Sequence, residues 1–477
     1  MLSNLVPTQA ASSVLAKPTP LRDRLLLAGD MSTDTDHDLP VDASPVSLPR
    51  RTPLARLALV TLLTGVGAGI GGMVLALLLH LIQHLAYGYS TGAIVSAESF
   101  LQGVIAAPPL RRAGALFGCG MVAGCGWWAV YRFGRPLVSI RRAAAADGLP
   151  MPILATTAHA LLQIVTVALG SPLGREVAPR EIGAMLAGWL SRSAGLSPSE
   201  TSVMVACGAG AGLAAVYNVP LAGAVFVLEV LLKTVRVSAV IPAIATSCIA
   251  TVIAWGGLGD EAQYRMPALP ISAALVAWAV LVGPVIGFAA HHYINFAAFA
   301  RARAPRDGRL VPWCIAVFGT IGVFAIWYPH LLGNGKGPTQ LGLTGNVTVG
   351  LAIVLFFLKL AATMGSLRAG AEGGLLTPGL TIGALLSLVV GGVWNLAGAG
   401  VPPGAYAIVG ATAFLAVSMQ MPITAVILIF EFTHVDQDFL IPIMAAITGS
   451  MAMRAWLVQR HDRVAAVRNA NASRCEV

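Results

Sequence analysis

Long runs of apolar residues with few charges are the dominant pattern along this chain. A helix needs about 20 such residues to cross the hydrocarbon core of a bilayer. Five stretches satisfy or exceed that requirement, at residues 54–86, 113–131, 238–257, 271–299 and 311–329. The pattern therefore predicts an all-α polytopic membrane protein.

Two other regions, residues 150–235 and 330–435, carry shorter apolar runs that are cut by Gly and Pro. A helix that breaks inside a bilayer leaves backbone N–H and C=O groups that lipid cannot satisfy, so it must lie within protein or line an aqueous cavity. Interrupted segments in corresponding positions of two halves are typical of a transporter's binding site. We expect these regions to form the core of a transport pathway.

The two interrupted regions also resemble each other. Ile-Gly-Ala occurs at 182–184 and again at 382–384, and Glu229 falls opposite Glu431 at nearly the same offset. Ordered anchors at a nearly constant offset indicate an internal duplication. The residues alone leave open whether the two halves are parallel or inverted.

Composition narrows the class of protein further. Hydrophobic residues make up 56% of the chain and charged residues only 11%, whereas a soluble globular domain carries about 25% charged residues. This excludes a water-exposed enzyme. In a membrane protein the net charge of +9 favours basic cytoplasmic loops over nucleic-acid binding. The basic clusters that we place inside the cell are Arg50, Arg51 and Arg56; Arg132, Arg135, Arg141 and Arg142; Arg301, Arg303, Arg306 and Arg309; and Arg454, Arg460, Arg463 and Arg468.

The two ends of the chain differ from the middle. Residues 1–50 are rich in Pro, Ser, Thr and Asp and lack the pattern of a cleaved signal peptide. We expect a disordered cytoplasmic leader there, with Met31 as an alternative start to Met1. Residues 459–477 are expected to form a short basic cytoplasmic tail. The six cysteines show no C-x-x-C spacing, so we expect neither a disulfide framework nor a metal site.

The densest group of charges within an apolar region is the run GREVAPREIG, which begins at Gly174. A helix is expected to start near Val177, and a helix N-terminus offers unpaired N–H groups and about half a positive charge. Such an end is an anion site. Glu176 could place its own carboxylate there and act as a tethered anion, which a free anion or a proton would displace.

The second half carries a matching run, Gly373-Gly374-Leu375-Leu376-Thr377-Pro378. It has no acid at the position of Glu176. If both helix N-termini met at mid-membrane, they would form an anion-selective constriction. The alternative is that each run is an ordinary helix break at Gly and Pro, packed against a neighbouring helix.

These runs resemble the CLC family of chloride channels and chloride/proton exchangers over about residues 55–458. GREVAP is similar to the family's G-[KR]-E-G-P gating motif, and GGLLTP to its G-x-F-x-P motif. YNVPLAGAVFVLEV at 217–230 and MPITAVILIFE at 421–431 resemble two further family segments. The resemblance places the gating glutamate at Glu176. It implies anion-binding positions at Gly174, Arg175, Val177, Gly374, Leu375 and Leu376.

The same resemblance implies a fold, an assembly and a location. It implies about 18 partly broken helices in two inverted repeats, with halves at about 54–235 and 271–458 within a membrane domain of 51–458. It further implies a homodimer with one pore in each subunit, embedded in the lipid of the inner membrane with both termini cytoplasmic. The resemblance also implies that chloride is the transported ion and implies no cofactor. We expect no CBS domain after the membrane domain.

Several positions depart from the family pattern. Arg135 stands where the family has an anion-binding serine, and Ser139 comes four residues later. The family's late tyrosine has no match, and Leu376 replaces the motif's phenylalanine. Because these groups bind the central ion in the family, we expect weaker binding at the central site of this chain.

One position bears on the choice between channel and exchanger. Val230 stands where exchangers of the family often carry a second, proton-accepting glutamate after the residue that matches Glu229. A valine cannot accept a proton, which favours passive conduction; the alternative is a chloride/proton antiporter on the same fold. Glu229 is expected to be a buried acid bound to helix N-termini, and Lys336 to attract anions to a vestibule. An enzyme is not expected, since no GxSxG or HExxH motif and no paired intramembrane aspartates occur.

Overall fold

The computed structural model describes residues 53–90, 98–145 and 148–475, with side chains to residue 463. The expected leader at 1–50 lies outside these residues. Within them the chain forms seventeen α-helices and no strand. The helices are α1 Leu54–Tyr87, α2 Phe100–Ala106, α3 Pro109–Phe133, α4 Ile140–Ala143, α5 Ile153–Ala168, α6 Val177–Ser193, α7 Pro198–Tyr217, α8 Pro220–Phe226, α9 Val237–Leu258, α10 Ala273–Ala302, α11 Leu310–Trp327, α12 Lys336–Leu343, α13 Val349–Ala369, α14 Leu376–Leu396, α15 Pro403–Met419, α16 Pro422–Thr433 and α17 Leu440–Cys475.

Nine helices in the described residues are long and apolar enough to cross a membrane. They include all five spans predicted from the hydrophobic pattern, which correspond to α1, α3, α9, α10 and α11. These helices differ from the predicted bounds by only a few residues, because few charges or turn signals interrupt the apolar runs. The all-α polytopic prediction is confirmed.

The interrupted regions form the interior of the protein. In α7, every residue from Met204 to Tyr217 is buried, and in α15 every residue from Gly404 to Val417 is buried. Short helices α8 and α16 follow them, each opened by a proline at its first turn. Neighbouring helices therefore shield α7 and α15 up to the breaks that end them.

Two glutamates tie the halves together reciprocally. Glu229, in the π-helical turn Val227–Leu232 after α8, accepts hydrogen bonds from the backbone of Ile423 and Thr424 at the start of α16. Glu431, in α16, accepts equivalent bonds from Leu221 and Ala222 at the start of α8. Each carboxylate thus stabilises the positive end of the other half's helix.

The short segments that precede α6 and α14 run in opposite directions where they meet. Gly174 and Gly374, which precede α6 and α14, form an isolated antiparallel bridge. This local pairing agrees with the inverted duplication that the resemblance to the CLC family implies.

Several arginines lie close to the ends of α3, α4 and α10. Arg306, which follows α10, lies over the ring of Tyr131 near the end of α3. Ser202 at the start of α7 donates a hydrogen bond to the carbonyl of Ala144, just after Arg141 and Arg142. We call the face that carries the ends of α3, α6 and α10 the basic face.

Candidate anion site

The two glycine-containing runs meet in the interior. The N–H of Gly174 donates to the carbonyl of Gly374 at 2.8 Å, and the N–H of Gly374 donates back to Gly174 at 2.9 Å. Both runs then lead directly into helices, α6 from Val177 and α14 from Leu376. Two helix N-termini therefore converge at one point, where their N–H groups create a positive potential without cationic side chains.

The carboxylate of Glu176 occupies this point. Glu176 precedes the first residue of α6, and its side chain is completely buried. Its Oε1 accepts a hydrogen bond of 2.7 Å from the backbone N–H of Leu376. Its Oε2 lies 3.5 Å from the hydroxyl of Tyr217, which in turn lies 3.1 Å from Thr377 Oγ1. The acid of the first half thus binds the helix start of the second half.

Glycine at both ends of the bridge leaves room for the close approach of this carboxylate. A Cβ added at either Gly174 or Gly374 would collide with the carboxyl group of Glu176. Neither glycine has a left-handed φ, so glycine is favoured here by the space that the carboxylate occupies and not by the backbone conformation. Leu375 lies between this bridge and the first residue of α14.

The nearby cations do not neutralise Glu176. Arg175 is 8% exposed, and its guanidinium lies 5.2 Å from the ring centroid of Tyr217. Arg180 lies 4.4 Å from the ring of Phe226. Among the described side chains, neither arginine forms an ion pair with Glu176. The carboxylate is therefore held by a backbone amide and a tyrosine hydroxyl.

The remaining residues singled out in the sequence lie away from the bridge. Arg135 is exposed in the segment between α3 and α4, and Ser139 accepts a hydrogen bond from the N–H of Arg142 as the N-cap of α4. Lys336 is exposed at the start of α12 and donates to Gln263 at 3.4 Å. Glu229 is half-buried, not buried as expected, and accepts hydrogen bonds from the backbone at the start of α16.

A buried polar cluster was not anticipated from the sequence. His159 Nδ1 lies 2.9 Å from Glu181 Oε2, and Gln163 Nε2 donates to the same oxygen at 3.1 Å. Close by, the hydroxyl of Tyr131 donates to Glu372 at 3.1 Å. The signal available in the sequence was a pair of polar residues, His159 and Gln163, spaced to share one face of the apolar helix α5.

Tyr217 was also not assigned a role, although it begins the run YNVPLAG that carried the family resemblance. Its hydroxyl joins Glu176 to Thr377 across the two halves. Only the packing of α7 against the start of α14 brings these three residues together.

Comparison with known proteins agrees with this architecture. The chain is 32% identical over 308 residues to a "Putative chloride channel protein ClcB-like" from Ralstonia nicotianae, covering 61% of this chain and 70% of that protein. It is 29% identical over 269 residues to an "H(+)/Cl(-) exchange transporter ClcA" from Cronobacter sakazakii, covering 53% of this chain and 56% of that protein.

A solved structure shares the fold. The crystal structure of a slow cyanobacterial Cl−/H+ antiporter superposes with a TM-score of 0.73 at 18% identity, covering 84% of this chain and 95% of that chain. The model of the family described as "Voltage gated chloride channel" matches residues 119–454, which is more than half of the chain and includes both glycine-containing runs. The chain therefore belongs to the voltage-gated chloride channel family, the CLC family of anion transport proteins.

Proposed function

We propose that this chain conducts chloride or a similar small anion passively through a pathway in each subunit, and that Glu176 gates the pathway as a tethered anion. The observation that carries the proposal is the hydrogen bond from the Leu376 N–H to the Glu176 carboxylate. A backbone amide at a helix start that binds a carboxylate can equally bind a free anion. The closed state is therefore one in which the protein's own negative charge fills the site.

Opening follows from competition for the same donors. A chloride ion that enters from solution displaces the carboxylate, and protonation removes its negative charge. Because the acid is completely buried, it has no competing solvent partner while it occupies the site. We assign anion binding to the backbone around the bridge and the first turns of the two helices, namely Gly174, Arg175, Val177, Gly374, Leu375 and Leu376.

Passive conduction is favoured by Val230. This side chain packs against apolar residues of the second-half core, and it offers no group that could carry a proton. The carboxylate of Glu229, one residue earlier, accepts three hydrogen bonds at the start of α16, from two backbone amides and the Thr424 hydroxyl. That arrangement supports a structural role for Glu229, so neither residue supplies a mobile proton.

The second candidate is chloride/proton exchange on the same fold. It is supported by the likeness to a ClcA exchange transporter and to a cyanobacterial antiporter. Passive conduction is supported by the likeness to a putative ClcB-like channel protein. The residues around Glu176 suit either activity, because both need an acid that leaves the anion site when it is protonated.

The surroundings of the pathway suggest its orientation. We propose that the basic face is cytoplasmic, following the excess of Arg in cytoplasmic loops. We further propose that the chain lies in the inner membrane and forms a homodimer. Lys336 at the start of α12 would raise the local anion concentration at the opposite mouth. Arg135 would stand near the cytoplasmic mouth, where the family serine is missing.

A flux measurement in proteoliposomes tests the proposal. Purified protein is reconstituted with a chloride gradient and no proton gradient, and external pH is recorded together with chloride efflux. The proposal predicts chloride efflux without proton movement against its gradient. Stoichiometric proton movement would establish exchange instead, and absence of chloride efflux would refute anion conduction. A Val230→Glu variant serves as the comparison, since it adds an acid at the position where exchangers of the family often have one.

A further inference from the structure

Arg180 is an unpaired cation inside the membrane domain. Its guanidinium is stacked on the ring of Phe226, and its Nε atom is buried without a hydrogen-bond partner. It forms no ion pair with any carboxylate among the described side chains. A charge in a membrane interior is costly unless a partner compensates it, so this guanidinium requires a counter-ion or water.

The charged groups that face Arg180 are Glu176, Glu181 and Arg141, and both of these acids are engaged elsewhere. Glu181, the next residue in α6, directs Oε2 to His159 and Gln163 on α5. Glu176 directs Oε1 to the N–H of Leu376 on α14. Since Arg141 is itself a cation, the positive charge of Arg180 is left without a dedicated protein partner.

The position of Arg180 in α6 places it along the pathway. It follows Glu176 by four residues, a spacing that puts two side chains on the same face of a helix about one turn apart. Because α6 leads from Glu176 toward the basic face, Arg180 lies between the gate and that face. Leu380, at the corresponding position of the second half, is a buried apolar residue. The second half of the protein therefore has no cation at the position that corresponds to Arg180.

We propose that Arg180 forms a second anion-binding site, between Glu176 and the basic face, which takes a small monovalent inorganic anion such as chloride. This inference rests on the proposed conduction pathway and adds a residue to it. A guanidinium is more weakly hydrated than an ammonium group and presents several N–H donors. It can therefore hold an anion that has left most of its water, in a chain that lacks the serine and tyrosine hydroxyls of the family's central site.

Two anion sites in series allow an anion at the Arg180 site to act on the Glu176 carboxylate. An anion held at Arg180 stands one helix turn from the carboxylate of Glu176 and repels it. Occupancy of this site therefore assists release of the carboxylate from the Leu376 amide. Loss of the site should weaken anion binding and should also reduce flux most strongly at low chloride concentration, when the site is needed to load the pathway.

Calorimetric titration of the purified full chain with sodium chloride, paired with flux in proteoliposomes, tests the inference. Arg180→Gln removes the charge and is expected to raise the chloride Kd about tenfold, which is the range for losing a hydrogen bond to a charged group. Arg180→Lys keeps the charge and should give a smaller rise. The matched control is Arg192→Gln, which removes a positive charge from the exposed far end of the same helix and should leave the Kd unchanged.

The outcomes separate this inference from the proposed function. Chloride flux in the unaltered chain with an unchanged Kd in Arg180→Gln would overturn the Arg180 site alone. Absence of flux in the unaltered chain would overturn the conduction proposal. If Arg180→Gln does not yield folded protein, Arg180→Met takes its place, since it also removes the charge but keeps an unbranched side chain that can pack against Phe226. A folded Arg180→Met protein with the chloride Kd of the unaltered chain would limit Arg180 to packing against Phe226.

Discussion

The backbone N–H of Leu376 donates a 2.7 Å hydrogen bond to the carboxylate of Glu176, although the two residues are 200 positions apart in the chain. The bond joins the start of α14 in one half to the residue that precedes α6 in the other. It puts a negative charge where two helix dipoles present their positive ends.

Gly374→Ala is expected to remove acid-dependent gating. The added methyl group would collide with the carboxyl group of Glu176 in its bound position, and it would also narrow the site for a free anion. Chloride efflux should therefore be lower than in the unaltered chain and should no longer increase as the pH falls. The measurement is efflux from proteoliposomes at several pH values.

Gly118→Ala is the matched control for this variant, because a Cβ added at Gly118 in α3 meets no atom within 4 Å. Its efflux and pH response should equal those of the unaltered chain. If Gly374→Ala behaved in the same way as this control, the close approach of the carboxylate to Gly374 would not matter for transport.

Tyr217→Phe is expected to make release of the Glu176 carboxylate easier. The hydroxyl lies 3.5 Å from Glu176 Oε2, and hydrogen bonds to a charged carboxylate favour its charged form. Without this donor the carboxylate takes up a proton more readily, so acid activation should move to higher pH. The contact is long, and a shift of less than about one pH unit is expected.

The pH of half-maximal chloride efflux measures this shift. Tyr406→Phe is a suitable control, since the Tyr406 hydroxyl donates to Asn395 and not to a residue of the anion site. A shift toward lower pH in Tyr217→Phe would show that the hydroxyl does not stabilise the charged carboxylate.

Glu229→Gln and Glu431→Gln are each expected to destabilise the fold by about 1.5–3 kcal/mol, the range for a hydrogen bond to a charged group. Each carboxylate accepts two backbone N–H bonds at the start of the other half's helix. A neutral amide offers only one oxygen and places an NH2 group against one of these donors. Thermal unfolding in detergent should show lower midpoints for both variants.

The control for these variants is Glu261→Gln, which alters an exposed ion pair with Arg265 and should leave the midpoint unchanged. Proton movement in Glu229→Gln should remain absent, as in the unaltered chain. A normal unfolding midpoint combined with altered proton flux would instead assign Glu229 to proton transfer.

The long spans and the starts of the motif helices could be predicted because local features determine them. Apolar runs set the bounds of α1 and α10, and Gly with Pro sets the starts of α6 and α14. The residues of GREVAP and GGLLTP left open whether the two runs meet or are ordinary helix breaks. The resemblance to the family supplied the inverted orientation that the residues alone left open.

Contacts between distant segments could not be predicted in the same way. Lys359 lies in the apolar helix α13, and its ammonium donates to the carbonyls of Leu331 and Gly333 before α12. The contact of His159 with Glu181 likewise joins two helices. Such pairs depend on how helices pack, and nothing in either local sequence identifies the partner.

The most direct test of the central claim compares chloride efflux in the unaltered chain and in Glu176→Gln from neutral pH down to about pH 4.5, near which an ordinary glutamate is half protonated. We predict that efflux rises with acid in the unaltered chain, while the variant, which cannot carry the tethered charge, conducts strongly at every pH. A variant that keeps the pH response of the unaltered chain would contradict the assignment of Glu176 as the gate.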